Sequence, residues 1–142
     1  MKAELLYTAE QGYDSAPAVA SLWDGALVQA YWRGSGTVSW GGSAGTIEWS
    51  NFAPSRPDGM GLPEVSGVIR VDGRSQPILF RLSGFAHPAD RDGRRLIAAS
   101  VRWWTDDPDL RYLNDVVGFE EAESDPASGM ITSRAYVLHP EA

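Results

Sequence analysis

The sequence predicts an all-β chain folded as a single antiparallel up-and-down β-barrel of about eight strands. Three observations carry that expectation. Apolar residues recur with period two over short stretches, turn residues punctuate those stretches, and helical periodicity is scarce. Taken in order, strands are expected at Lys2 to Thr8, Leu27 to Trp40, Thr46 to Trp49, Val65 to Val71, Ile78 to Leu82, Leu96 to Thr105, Val116 to Ala122 and Met130 to Leu138. In the fourth of these, Val65, Gly67, Ile69 and Val71 alternate with Ser66, Val68, Arg70 and Asp72. Asp72-Gly73 follows it and reads as a type I′ hairpin turn, because both central positions of that turn need positive φ. Asp92-Gly93 marks another turn. Two stretches read as helical. Ala16 to Trp23 has room for one short turn, restricted by Pro17, and residues 107–113 form the better candidate, with Asp107 as N-cap and Pro108 at the first helical position.

Size and composition narrow the function. The 142 residues match one domain spanning 1–142, and 43% hydrophobic content suffices for a core. Without Cys there is no disulfide, thiolate metal site or thiol nucleophile. A net charge of −7, scattered Arg and a single Lys argue against nucleic acid and anionic membranes as partners. The first residues lack a signal-peptide core and no run of apolar residues is long enough to span a bilayer, so a cytoplasmic location is expected.

Most motif-like stretches read as structure. Gly41-Gly42-Ser43-Ala44-Gly45 matches the G-x-S-x-G nucleophile elbow, but β-branched Thr46 and Ile47 follow where a helix is required, so it reads as a hairpin loop. Gly34-Ser35-Gly36 lacks the third glycine and the helix of a phosphate loop. Asp106, Asp107 and Asp109 suit helix capping better than calcium, since Tyr112 stands where an EF-hand needs Gly. His87 and His139 lie beside prolines without metal-ligand spacing, so no metal is expected. Glu120, Glu121 and Glu123 read as a solvated strand end, with Glu121 the member to watch: facing inward with Val117 and Phe119, it would be a base. The six Trp carry the most information. Trp32, Trp40, Trp49 and Trp103 fall on expected strands and serve either as core anchors or as flat walls of a pocket for an apolar or aromatic ligand. Trp103 and Trp104 are adjacent, so one faces in and the other out.

Four segments carry a resemblance: Gly34-Ser35-Gly36-Thr37-Val38, Arg56-Pro57-Asp58-Gly59, the Val71-Asp72-Gly73 hairpin returning through Ile78-Leu79-Phe80, and Asp107-Pro108 through Tyr112-Leu113-Asn114 before a strand with Gly118. In this order they resemble a family of small bacterial and fungal proteins, catalogued as a domain of unknown function and built as one antiparallel barrel similar to calycins and allene oxide cyclase. Glu48-Trp49-Ser50-Asn51 departs from the family's Asp-Trp before R-P-D-G, and Tyr112 from its Trp before Leu-Asn. The resemblance implies a barrel with one mouth that admits a small organic molecule, and chemistry akin to the cofactor-free cyclisation associated with a few relatives.

The expected function is therefore a cofactor-independent isomerase or cyclase acting on an apolar or aromatic intermediate; a non-catalytic, lipocalin-like carrier is the alternative. Proton-transfer chemistry needs an acid, a base and a dry cavity. Glu48 or Asp58 is the expected base, with Tyr112 and Asn114 as donors to a developing oxyanion. Arg81 or Arg102 would hold a carboxylate or phenolate through its planar fork. A homodimer is compatible with either reading.

Overall fold

A computed structural model describes residues 1–140. Nine strands are present among them: β1 (Lys2–Tyr13), β2 (Ala18–Leu22), β3 (Leu27–Trp40), β4 (Ser43–Ser55), β5 (Glu64–Val71), β6 (Ile78–Ala86), β7 (Arg95–Thr105), β8 (Val117–Asp125) and β9 (Met130–His139). All neighbours are antiparallel, in the order β1-β9-β8-β7-β6-β5-β4-β3-β2. A β1–β3 pairing, from Thr8↔Ser39 to Tyr13↔Gly34, closes eight of the strands into a barrel. The ninth strand, β2, continues β1 along the same edge of β3, pairing Ala18 with Tyr31 and Leu22 with Leu27. The expected Ala16–Trp23 helical turn is therefore a strand, because the long β3 offers unpaired backbone beyond the end of β1. The β2–β3 hairpin turns at Trp23, Asp24 and Gly25, all at positive φ.

Two turns show how local sequence sets the register. Gly41 and Gly42 lie at φ 54° and 86° between the paired Trp40 and Ser43, which makes a two-residue type I′ hairpin of the G-x-S-x-G stretch. At Asp72-Gly73 only Gly73 has positive φ, so the expected type I′ turn is absent. The chain instead takes residues 72–77 to return, with Arg74 N–H donating to the Val71 carbonyl, and pairing resumes after Pro77, which has no amide to give a ladder.

The interior is packed by rows of cross-strand neighbours. One row runs Gly34–Trp49–Gly67–Phe80–Trp103 across β3 to β7, with glycine and aromatic ring alternating as far as Phe80 and Trp103 following it. The alternation is steric: a Cβ on Gly34 would lie 2.2 Å from Trp49, one on Gly67 2.6 Å from Phe80, and one on Gly118 2.2 Å from Trp103. Each ring fills its neighbour's missing side chain, the small-large alternation that fills a narrow barrel. Tyr7 and Trp40 stack at 5.1 Å towards the opposite end, where a 3₁₀ helix at Arg111–Asp115 packs with Leu110 and Leu113 buried. That 3₁₀ helix stands where residues 107–113 were expected to form the helix. Asp107 opens the turn by accepting from the Asp109 amide, and its Arg74 ion pair fixes it to the β5–β6 loop. Among the described residues no helix is long and apolar enough to cross a membrane.

Candidate functional site

The opposite side of the interior is different in kind. A row of neighbours there runs Tyr7–Ala135–Glu120–Ala99–Gly84, and the next runs Val38–Ala9–Ser133–Ala122–Ile97. Small side chains surround one carboxyl, Glu120, which is buried. No cation pairs with it among the described residues. Burial pushes its pKa up to about 7, and the Ser133 hydroxyl beside it offsets only part of that rise. Ser133 in turn accepts a 2.9 Å hydrogen bond from Gln11 Nε2. Three further polar atoms lie buried without a partner in this interior: the Tyr7 hydroxyl, Trp103 Nε1 and Trp49 Nε1. The Tyr7 phenol is raised by its own burial first and by Glu120 second, while the Trp103 indole N–H close to it lowers it, so these two face one another without a well-formed hydrogen bond. Buried donors left unsatisfied are costly in a packed interior.

Towards the end of the barrel where β1 finishes, the wall becomes aromatic. Tyr13 lies 6.2 Å from Trp32, and 5.8 Å from Trp49 in an edge-to-face arrangement. The rim opposite is made by the β6–β7 connection and by residues 56–63, which cross between β4 and β6 and pair at Gly61 with Ser55 and Ala86. Arg95, at the start of β7, ties the two together by donating to the carbonyls of His87, Gly59 and Ala86.

The residues expected from sequence divide sharply. Trp40, Trp49 and Trp103 face inward and are buried, Trp32 faces inward at the aromatic rim, and Trp104 faces out as the partner of Trp103. Glu121 does not face inward: β8 turns Gly118, Glu120 and Ala122 into the barrel and leaves Val117, Phe119 and Glu121 outside, where Glu121 pairs with Arg134. The inward set was masked because the larger apolar residues of β8 are the outward ones, with Phe119 stacked on Tyr136. Glu48 lies on the outer face of β4, opposite Val68. Asp58 sits in an exposed turn, bound to Arg56 and to the Met60 amide, and that guanidinium holds its carboxyl below the usual range. Tyr112 stacks on His139 at the far end, and the Asn114 amide is taken up at both ends by the backbone of Thr105. Arg81 and Arg102 are exposed on the outer wall, Arg102 over the Trp104 ring. Glu120 was the residue missed; the alternation with Gly118, which leaves room for Trp103, was the signal for its orientation.

Two grooves mark the wall. One of about 590 Å³ is lined by the outward Glu10, Thr37, Glu123 and Arg134 and also by Ala9 and Ser133 of the inward row. The other, of about 510 Å³, is lined by Val68, Leu79, Arg81 and Trp104. Among the described residues no group of three or more His, Asp or Glu is placed to hold a metal.

No family model matches the chain, and no curated protein matches its sequence. Solved structures do resemble it. A protein of unknown function from Clostridium acetobutylicum superposes with a TM-score of 0.83 at 16% identity, covering 97% of this chain and 99% of that one. A β-barrel-like protein from Acinetobacter baumannii gives 0.82 at 14% identity over 97% and 96% of the two chains. An enzyme from Penicillium herquei gives 0.68 at 15% identity over 95% and 93%. At these identities the likeness is one of fold.

Proposed function

We propose that the barrel binds a small, largely apolar or aromatic organic molecule through its aromatic end, and that Glu120 exchanges a proton with it in a cofactor-independent isomerisation or intramolecular cyclisation. The observation that carries this reading is the buried carboxyl of Glu120 at about 7, without a cation, among small side chains and unpartnered donors. A group with a pKa near the working pH is present in both protonation states and serves as acid or base with little driving force lost. The Tyr7 hydroxyl, in the same row, would donate to an oxygen that gains charge as the proton moves. A barrel-fold enzyme from Penicillium herquei supports the reading at the level of fold only.

The test is a survey of aromatic polyketones and phenolic ketones as substrates, followed by product analysis with the wild type, Glu120→Gln and Tyr7→Phe. Glu120→Gln is expected to lower turnover by about 10²- to 10⁴-fold, the usual contribution of a general acid-base group, while ligand affinity changes little. Full turnover in Glu120→Gln would refute the assignment. Binding without product in every chain would make the protein a carrier, the second use that the same interior supports.

A further inference from the structure

We infer that the barrel's ligand carries an anionic group, a carboxylate or a phenolate, and that Arg95 is the residue that receives it at the aromatic rim. This rests on the reading of the interior as a binding site. Of the described arginines only Arg74 and Arg95 are partly buried. Arg74 is neutralised by Asp107 at 2.8 Å and faces Asp109 at 3.7 Å. Arg95 has no carboxylate partner among the described residues; its Nε donates to the His87 carbonyl and its Nη2 to those of Gly59 and Ala86. Carbonyls satisfy donors but do not cancel a charge, so a half-withdrawn guanidinium keeps a demand for an anion. The remaining nitrogen, Nη1, has no partner among the described residues.

Geometry directs that demand to the site. Arg95 has the inward parity of Ala99, Val101 and Trp103 on β7 and pairs with Ser124 of β8. Its neighbours across the wall are Ser124, Ile131, Gln11 and Gly36, one level above the row that holds Ser133. Tyr13 lies three strands away round a barrel of eight, and the Arg95 charge counteracts the rise that burial imposes on its phenol, as expected of groups facing one another across a mouth. The guanidinium is held rather than free. Three carbonyls fix its plane, and Gly61 leaves it room, since a Cβ there would come within 3.2 Å of Nη2. A held, unneutralised cation across the mouth from Tyr13, whose ring neighbours are Trp32 and Trp49, fits an aromatic ring bearing an anionic substituent.

The same register sets the ligand's length. Glu120 lies four residues from Ser124 on the inward face of β8, about 13 Å along the strand. A molecule held by Arg95 and reacting at Glu120 is therefore elongated, with its charged group and its reactive carbon at opposite ends.

Calorimetric titration with paired probes tests this: aromatic carboxylates of one to three rings, benzoate, naphthoate and anthroate, each against its neutral primary amide. The wild type is expected to bind at least one carboxylate about tenfold or more tighter than its amide, a difference of about 1.4 kcal/mol. Arg95→Gln is expected to remove that preference and keep amide binding; Arg95→Lys restores part of it, and Arg81→Gln on the outer wall leaves it intact. Equal binding of every acid and its amide by the wild type would overturn the assignment of Arg95 and leave the binding interior standing. Binding of no probe at all would overturn the reading of the interior and this inference with it. The wild-type comparison requires no variant to fold.

Discussion

Replacing Glu120 by glutamine is expected to stabilise the fold at neutral and alkaline pH and to do little in mild acid. The carboxyl rises from an ordinary value of 4.5 to about 7 on folding. Between those values the native state binds more protons than the unfolded chain, so stability falls as pH rises through the window. The whole penalty is present above about pH 7 and absent below about 4.5. A difference of this size is worth about 3 kcal/mol, at about 1.4 kcal/mol for each pH unit. Glutamine has nearly the same shape and no charge, so Glu120→Gln lifts the penalty without leaving a cavity. For a chain of this length about 3 kcal/mol moves Tm by roughly 10 °C. The assay is urea or thermal unfolding of both chains from pH 4.5 to 8.5, read as the difference between them, which cancels every other titrating group. The expected difference opens from near zero to about 3 kcal/mol in favour of glutamine. A difference that stays flat across the range would rule out a raised carboxyl, because Glu120 would then ionise as freely in the barrel as in the unfolded chain.

The remaining expectations concern packing and the end that carries the 3₁₀ helix. Gly34→Ala places a Cβ against the Trp49 ring and is expected to cost about 1–3 kcal/mol, part of which Trp49→Phe in the same chain recovers; urea unfolding of the three variants checks it. Gly36→Ala meets the Glu10 carbonyl at 2.0 Å, in the backbone of the β1–β3 seam, so it is expected to cost more than Gly34→Ala and to find no side-chain rescue. Asp107 shows the opposite pH sign to Glu120. The Arg74 guanidinium lowers its pKa below 3.8, so its contribution is present above that value and is lost as pH falls through the lower, folded one. Asp107→Asn is therefore expected to destabilise at pH 7, with the gap closing in strong acid, as read by acid titration of the circular dichroism signal.

The barrel was legible because period two and turn chemistry are local. Leu27–Trp40 has the same bounds in sequence and structure, and Ile78, Phe80 and Leu82 face inward as their alternation indicates. Strand β2 was not legible, since its five residues are all exposed and it exists only because β3 outruns β1. The site was harder for a specific reason. On β8 the choice of face rested on which residues were apolar, and the outer wall carries Val117 and Phe119 while the inner wall carries Gly118 and Ala122. Size decided the facing there: β7 brings Trp103 against β8, and only glycine at 118 leaves it space. Once Gly118 is fixed inward, Glu120 follows by alternation. Arg95 gave no sequence signal, because its partners are backbone carbonyls from two separate connections.

The two halves of the interior explain one another. Trp49, Phe80 and Trp103 lie over glycines in the neighbouring strands, which concentrates aromatic volume between β3 and β8. On the other side Ala99, Ala122, Ser133 and Ala135 keep the neighbouring positions small, and among them the chain places a carboxyl that burial raises to about 7. A barrel built only to pack would carry an apolar side chain at 120, or would set Arg95 against the carboxyl to neutralise both. Here the two groups stand on the inward faces of the adjacent strands β7 and β8, about 13 Å apart along the wall, and each lacks an ionic partner among the described residues. Opposite charges held apart in one interior cannot relieve each other. On the proposed reading, a molecule lying between them, anionic at the rim and exchanging a proton at depth, would relieve both, and their separation would then be a property of the site.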